Sequence, residues 1–158
     1  MNQVLPYDPK CEMMVREELE QLQIERLQAT LNRVYRSVAF YRTAFDAHKV
    51  NLEKLKNVRA LRDLPFTTKE DLQKSYPYDM FAVPLRDIVR IHTTSGTTGT
   101  PIVVGYTQND LRSWRQCAAR LLAGAGVTEH DVVQIALHYS LVADGFDYFD
   151  LIDLTVLA

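Results

Sequence analysis

The sequence predicts an α/β protein: a helical N-terminal segment followed by part of a mixed β-sheet. Three observations carry that prediction. Apolar residues recur at helical spacing between residues 24 and 45. Two runs rich in β-branched residues, Ile88–His92 and Ile102–Tyr106, flank a short polar loop. A capped helical pattern follows the second run and leads to a further apolar run, Val132–Leu137, of buried-strand length. Strand, capped helix, strand is the order from which an α/β layer is assembled.

Composition bounds the rest. A length of 158 residues is that of one ordinary domain, and 47% hydrophobic with 24% charged residues suits a folded chain. Eighteen basic against twenty acidic residues, a net charge of −2, argue against a globally basic nucleic-acid binder. No apolar run approaches the ~20 residues of a membrane span, and Met1–Lys10 lacks the apolar core of a secretory signal. Cys11 and Cys117 have neither metal-ligand spacing nor a dense framework, which suits a reducing cytoplasm. Charge is uneven along the chain. Residues 10–75 hold thirteen Lys/Arg and ten Asp/Glu, whereas no Lys or Arg and six acids follow Arg120.

In chain order, Cys11–Val50 is predicted helical. Ile24, Leu27, Leu31, Val34, Val38, Tyr41 and Phe45 alternate steps of three and four, forming one apolar seam. The seam fits a coiled-coil dimer, or one or two helices packed on their own domain. Asn51–Leu64 suggests a short helix ended by Pro65. Thr67 with Glu70 forms a capping-box pattern, so a short helix carrying Leu72 begins there and closes before Pro77. Helical patterning stops near residue 77, which divides a helical segment, 1–77, from an α/β part, 78–158. Phe81–Pro84 is a loop, and the first predicted strand follows it. Thr107 to Asp110 signal an N-cap. The helix after them carries Leu111, Trp114, Ala118, Leu121 and Leu122, with Trp114 expected in the core, and Gly124 and Gly126 stop it.

The loop between the two predicted strands holds the chemistry. Thr93, Thr94, Ser95, Thr97, Thr98 and Thr100 supply hydroxyls, while Gly96 and Gly99 let backbone approach a ligand closely. Successive N–H groups in such turns form a concavity that binds anions, and polyphosphate matches that surface. The loop also fits a plain solvated turn. No Lys follows the second glycine as it does in the P-loop, which argues against a kinase or GTPase. A strand rather than a helix comes next, so helix-dipole assistance is absent.

Ser95-Gly96-Thr97-Thr98-Gly99-Thr100-Pro101 resembles the phosphate-binding signature of adenylate-forming enzymes. Phe66 to Leu72, Tyr76-Pro77, Met80 to Pro84, Val89 to His92, Val104 to Thr107 and Phe40 to Phe45 together resemble the phenylacetate–CoA ligase family, in order and from about residue 20 to residue 138. The resemblance implies part of the mixed β-sheet of the large N-terminal domain of those enzymes, with the phosphate loop at 94–101. It implies ATP, Mg²⁺ and coenzyme A as cofactors and a small aryl acid as substrate. Thr94, Ser95, Gly96, Thr97, Thr98, Gly99 and Thr100 would face the ATP phosphates. Many relatives carry a Lys shortly after the loop proline, but Ile102 and Val103 stand here, so hydroxyls, backbone N–H groups and metal would hold the phosphates. Relatives also commonly have proline where Ala39 stands, so the resemblance breaks the helical seam near Ser37–Ala39 into two packed helices.

After His138 the resemblance weakens. Tyr139, Leu141, Gly145-Phe146 and Tyr148 align with about two residues missing, in a segment that shapes the acyl pocket of the family. Tyr139 and Gly145 are the pocket candidates. Asp144, Asp147, Asp150 and Asp153 recur every third residue and fit a solvated acidic face or a metal site. His48, His92, His130 and His138 lack paired zinc spacing. His92 fits a structural strand histidine or a group facing the nucleotide. No catalytic residue and no metal ligand is assigned in the chain, because the resemblance implies that the family's acidic Mg²⁺ ligand and catalytic lysine lie downstream of the matched region. The apolar ending at Leu154–Ala158 suggests a chain cut within a larger domain, inactive alone. The competing reading is a non-catalytic fragment or helical self-association module, a homodimer with a vestigial loop.

Overall fold

The computed structural model describes residues 6–94, 99–128 and 130–134, in two compact units. One comprises 15–85 with 99–103, and the other 6–14, 86–94 and the described residues from 104 onward.

The first unit is helical. Helix α2, Arg16–Ser37, meets α3, Ala39–Ala47, at Val38, whose backbone is extended (φ −118°, ψ 113°). The break lies where the resemblance placed it, and the seam folds back on itself. Leu31 and Phe45 pack with Leu55, and Leu27, Val34, Tyr41 and Tyr35 surround them. Val38 is completely buried, and Ile24 nearly so. All seven seam positions are buried or half-buried, which removes the free apolar stripe that a coiled-coil dimer would need.

The helix predicted to run to Val50 stops at Ala47. Lys49 takes a left-handed φ of 52°, the Lys49 N–H reaches Asp46 O (3.1 Å) and the Val50 N–H reaches Phe45 O (2.9 Å). This pair of bonds is the Schellman termination, here built without glycine. The short helix expected over Asn51–Leu64 is instead two 3-10 turns, Leu52–Lys54 and Val58–Asp63. The Gln28 amide donates to Leu55 O (2.8 Å) and pins the residue that follows the first turn to α2.

Helix α4, Lys69–Lys74, begins one residue later than the sequence pattern indicates. Thr68, not Thr67, is the N-cap. Its N–H donates to Asp71 Oδ2 (2.9 Å), and the Asp71 N–H donates to Thr68 Oγ1 (3.2 Å). The Thr67 hydroxyl is used elsewhere, donating to the Tyr41 hydroxyl at 3.2 Å. The helix ends at Ser75, two residues before Pro77.

Thr68 holds the Asp71 carboxyl below the usual carboxylate range, through its hydroxyl and then its backbone N–H. A depressed folded-state pKa contributes stability that is present above the unfolded value of about 3.9 and lost as pH falls through the folded value. Asp71→Asn should therefore lower the melting midpoint at pH 7, with the two curves converging in acid below about pH 4. Melts followed by circular dichroism between pH 3 and 7 test this, and a gap that stays constant with pH refutes it.

The second unit holds the sheet. Strand β1, Ile88–Thr93, pairs antiparallel with β2, Val103–Thr107. Helix α5, Gln108–Gly124, starts on a second capping box, Thr107 with Asp110. It ends in a Schellman motif at Gly126 (φ 89°), with the Val127 N–H bonded to Leu122 O (3.0 Å). Its buried face is Leu111 and Ala119. At about 100° per residue, Trp114 is turned roughly 140° from Ala119, and it is 44% exposed, which corrects its expected place in the core. Arg120 ties the N-terminal turn α1, Pro9–Glu12, to α5 by ion pairs to Asp8 (3.0 Å) and Glu12 (3.2 Å). The strand expected at Val132–Leu137 does not begin within its described part. Residues 132–134 are not extended into a sheet, and Val132 is 99% exposed.

No described helix is long and apolar enough to cross a membrane. Cys11 and Cys117 are exposed and form no disulfide.

Candidate functional site

The candidate loop leaves β1 and returns to β2. Thr94 directly follows β1 and is exposed. Gly99 and Thr100 precede Pro101 and are also exposed. Ser95, Gly96, Thr97 and Thr98 lie outside the described residues, as do Tyr139, Gly145 and the Asp144–Asp153 stripe.

On the β1 side, the strand is set by alternation. His92 is buried at 3% exposure while Ile91 beside it faces outward. The His92 ring stands edge-on to Tyr106 of β2, with centroids 5.3 Å apart and planes at 86°. This cross-strand aromatic contact fixes the pairing of the two strands immediately beside the loop. Nδ1 of His92 has no hydrogen-bond partner among the described residues.

On the β2 side, Gly99 adopts φ 135°, a conformation that L side chains rarely adopt, and a Cβ built there would meet nothing within 4 Å. Backbone geometry, not lack of space, is the reason for glycine. One residue on, Thr100 O accepts a hydrogen bond from the Gln73 amide at 3.0 Å. Gln73 is half-buried on α4. Sequence reading missed it, because nothing at residue 73 announces a contact 27 positions away. Its one local signal is a polar residue on the capped helix that carries Leu72.

Chemically, the described part of the loop offers backbone groups and hydroxyls without a neighbouring carboxylate cluster. Among the described residues, no group of three or more His, Cys, Asp or Glu side chains could hold a metal ion. A groove of about 650 Å³ lies elsewhere, lined by Arg16, Glu20, Ile24, Lys56 and Arg59, among others.

Known proteins share this arrangement. No family model matches the chain. The chain is similar to crystal structures of 2-hydroxyisobutyryl-CoA ligase. One, in complex with 2-HIB-AMP and CoA in the thioesterification state, superposes with a TM-score of 0.81 at 27% identity, over 100% of this chain and 37% of that one. An open conformation of the same ligase gives 0.80 at 26% identity, over 95% of this chain and 35% of that one. The fold is that of the adenylate-forming CoA ligases, the class to which the β1–loop–β2 signature pointed.

Sequence comparison narrows the class. The chain is 46% identical over 129 residues to the phenylacetate-coenzyme A ligase of Escherichia coli (strain K12), covering 82% of this chain and 30% of that protein. It is 44% identical over 129 residues to that of Aromatoleum evansii (82% and 29%), and 42% identical over 139 residues to that of Thermus thermophilus (88% and 31%). The resemblance to phenylacetate–CoA ligases drawn from the motifs is borne out, and the chain spans about 30% of the length of these relatives.

Proposed function

We propose that this chain is the phosphate-holding part of an ATP-dependent aryl-acid CoA ligase. The single observation that carries the reading is 46% identity over 129 residues to a phenylacetate-coenzyme A ligase, a stretch long enough to include the loop and both its strands. In the reaction proposed for the whole protein, a carboxylate oxygen of a phenylacetate-like acid attacks the α-phosphorus of ATP. Pyrophosphate leaves and an acyl-adenylate forms. The thiol of coenzyme A then attacks the acyl carbon, and AMP leaves with its oxygen. Thr94, Ser95, Gly96, Thr97, Thr98, Gly99 and Thr100 hold the departing phosphates. N–H and O–H donors of these residues would stabilise charge as it develops.

Mg²⁺ takes oxygen ligands and reaches such sites largely on the phosphates themselves. Its acidic protein ligand is placed downstream of this chain, so the loop would meet Mg²⁺ through the phosphates. Tyr139 and Gly145 border the acyl pocket, and residues 78–158 belong to the AMP-binding part. The helices of 1–77 form the helical N-terminal segment, and their apolar seam contributes to a core of their own.

Residues for nucleotide closure and acyl transfer lie outside a chain that spans about 30% of its relatives. The chain alone is therefore expected to bind ATP without turning it over. Incubated with ATP, Mg²⁺, phenylacetate and labelled pyrophosphate, it should show no pyrophosphate exchange. Exchange above the buffer rate would overturn the assignment of turnover to the remainder of the protein.

A further inference from the structure

The return limb of the loop is held from outside the loop. Thr100 precedes Pro101, so its carbonyl lies next to a residue that has no N–H to donate. Gly99, one residue earlier, holds a φ of 135°. A glycine–threonine–proline corner with exposed Gly99 and Thr100 has little of its own to define it. The bond from Gln73 Nε2 to Thr100 O, 3.0 Å long, supplies a fixed point.

The donor is itself anchored. Gln73 sits on α4, whose first turn is locked by the reciprocal Thr68–Asp71 bonds and whose last turn is tied by Ser75 Oγ to Asp71 O at 2.9 Å. Thr67, just before the cap, is bonded to Tyr41, and Tyr41 packs against the buried Phe45 with ring centroids 5.9 Å apart. A continuous path therefore runs from the hydrophobic core through α4 to the loop. Every residue on it belongs to the 15–85 and 99–103 unit.

We infer that Gln73 is a positioning residue that sets the conformation of Gly99–Thr100, and through it the phosphate affinity of the loop. The second half of this inference rests on the phosphate-loop reading above. The part played is that of a donor, because Thr100 O can only accept. Charge on Gln73 is not required, but an N–H of the right reach is.

The test compares the 158-residue chain with three variants. Gln73→Met keeps length and loses the donor. Gln73→Glu is nearly isosteric and offers only acceptors to the carbonyl. Gln73→Arg keeps N–H donors. Two readouts are taken on each, ¹⁵N relaxation of the Gly99 and Thr100 amides and titration with Mg-ATP. In Gln73→Met and Gln73→Glu the two amides should become mobile and ATP should bind roughly threefold to tenfold more weakly, the worth of one net hydrogen bond. Gln73→Arg should restore both.

Unchanged relaxation in Gln73→Met and Gln73→Glu overturns the positioning role. So does a loss of ATP affinity that Gln73→Arg shares. If the parent chain does not bind Mg-ATP, the phosphate-loop reading falls, while the relaxation data still decide whether Gln73 sets the corner. Melting curves on all four proteins show whether α4 stays folded, and the relaxation comparison is made between the folded ones.

Discussion

Phe45→Ala is expected to unfold the helical unit under conditions in which the parent chain is stable. Phe45 is 3% exposed, stacks on Tyr35 (centroids 6.4 Å apart, planes at 9°) and contacts the core formed by Leu31 and Leu55. Removing a buried phenylalanine costs about 3–5 kcal/mol, the transfer of the ring plus the cavity it leaves. Whole domains are stable by only about 5–15 kcal/mol. Among the described residues the unit has few fully buried side chains, so the loss cannot be spread over a large core. Urea unfolding followed by far-ultraviolet circular dichroism should show the midpoint collapse toward zero denaturant. A shift worth less than about 1 kcal/mol would mean that Phe45 does not organise the α2–α3 pair.

Gly99→Ala is expected to impair the loop without harming the fold. The residue is exposed, and a Cβ would meet no atom within 4 Å, so packing does not oppose the change. The opposition is conformational. Holding a residue with a side chain in so sparsely populated a region of φ costs about 1–3 kcal/mol. The backbone is expected to relieve that strain by rotating out of the observed conformation, which misdirects the adjoining N–H groups. Mg-ATP should then bind roughly fivefold to a hundredfold more weakly, at a nearly unchanged melting midpoint. Gly124→Ala is the matched control, because Gly124 also has open space for a Cβ but lies in α5 without a positive φ. Equal ATP affinity in the parent and in Gly99→Ala would mean that the Gly99 conformation does not matter to the ligand.

Much of the architecture was legible from residue order. The seven-position seam named the buried face of α2 and α3 residue by residue, because amphipathic spacing reports directly which side of a helix leaves water. Both strands were placed within a residue of their observed limits. The Thr107–Asp110 cap and the Gly126 stop are local devices made by residues within a few positions of each other, so their chemistry is visible in the sequence. The identity of the class was legible for a similar reason. A glycine- and hydroxyl-rich loop between two strands is a contiguous motif, and its flanking motifs occur in order.

The misreadings share one origin. Thr67–Glu70 and Thr68–Asp71 both satisfy the capping pattern, and the bond from Thr67 to Tyr41, 26 residues away, selects the second. The stop at Ala47 has no glycine to announce it, because Lys49 takes the left-handed turn instead. Trp114 is apolar at a helical spacing, yet α5 turns Leu111 and Ala119 inward and leaves it exposed.

By itself the sequence determined the helical N-terminal segment, the strand–loop–strand that follows, and the resemblance that names the class. All of these depend on residues close together in the chain or on the ordered recurrence of motifs. The tertiary structure alone decided where the helices end, which of two equivalent caps is used, and that Gln73 holds the Thr100 carbonyl. Those outcomes depend on which distant groups come within the 3 Å reach of a hydrogen bond, and that is fixed only after the core has packed.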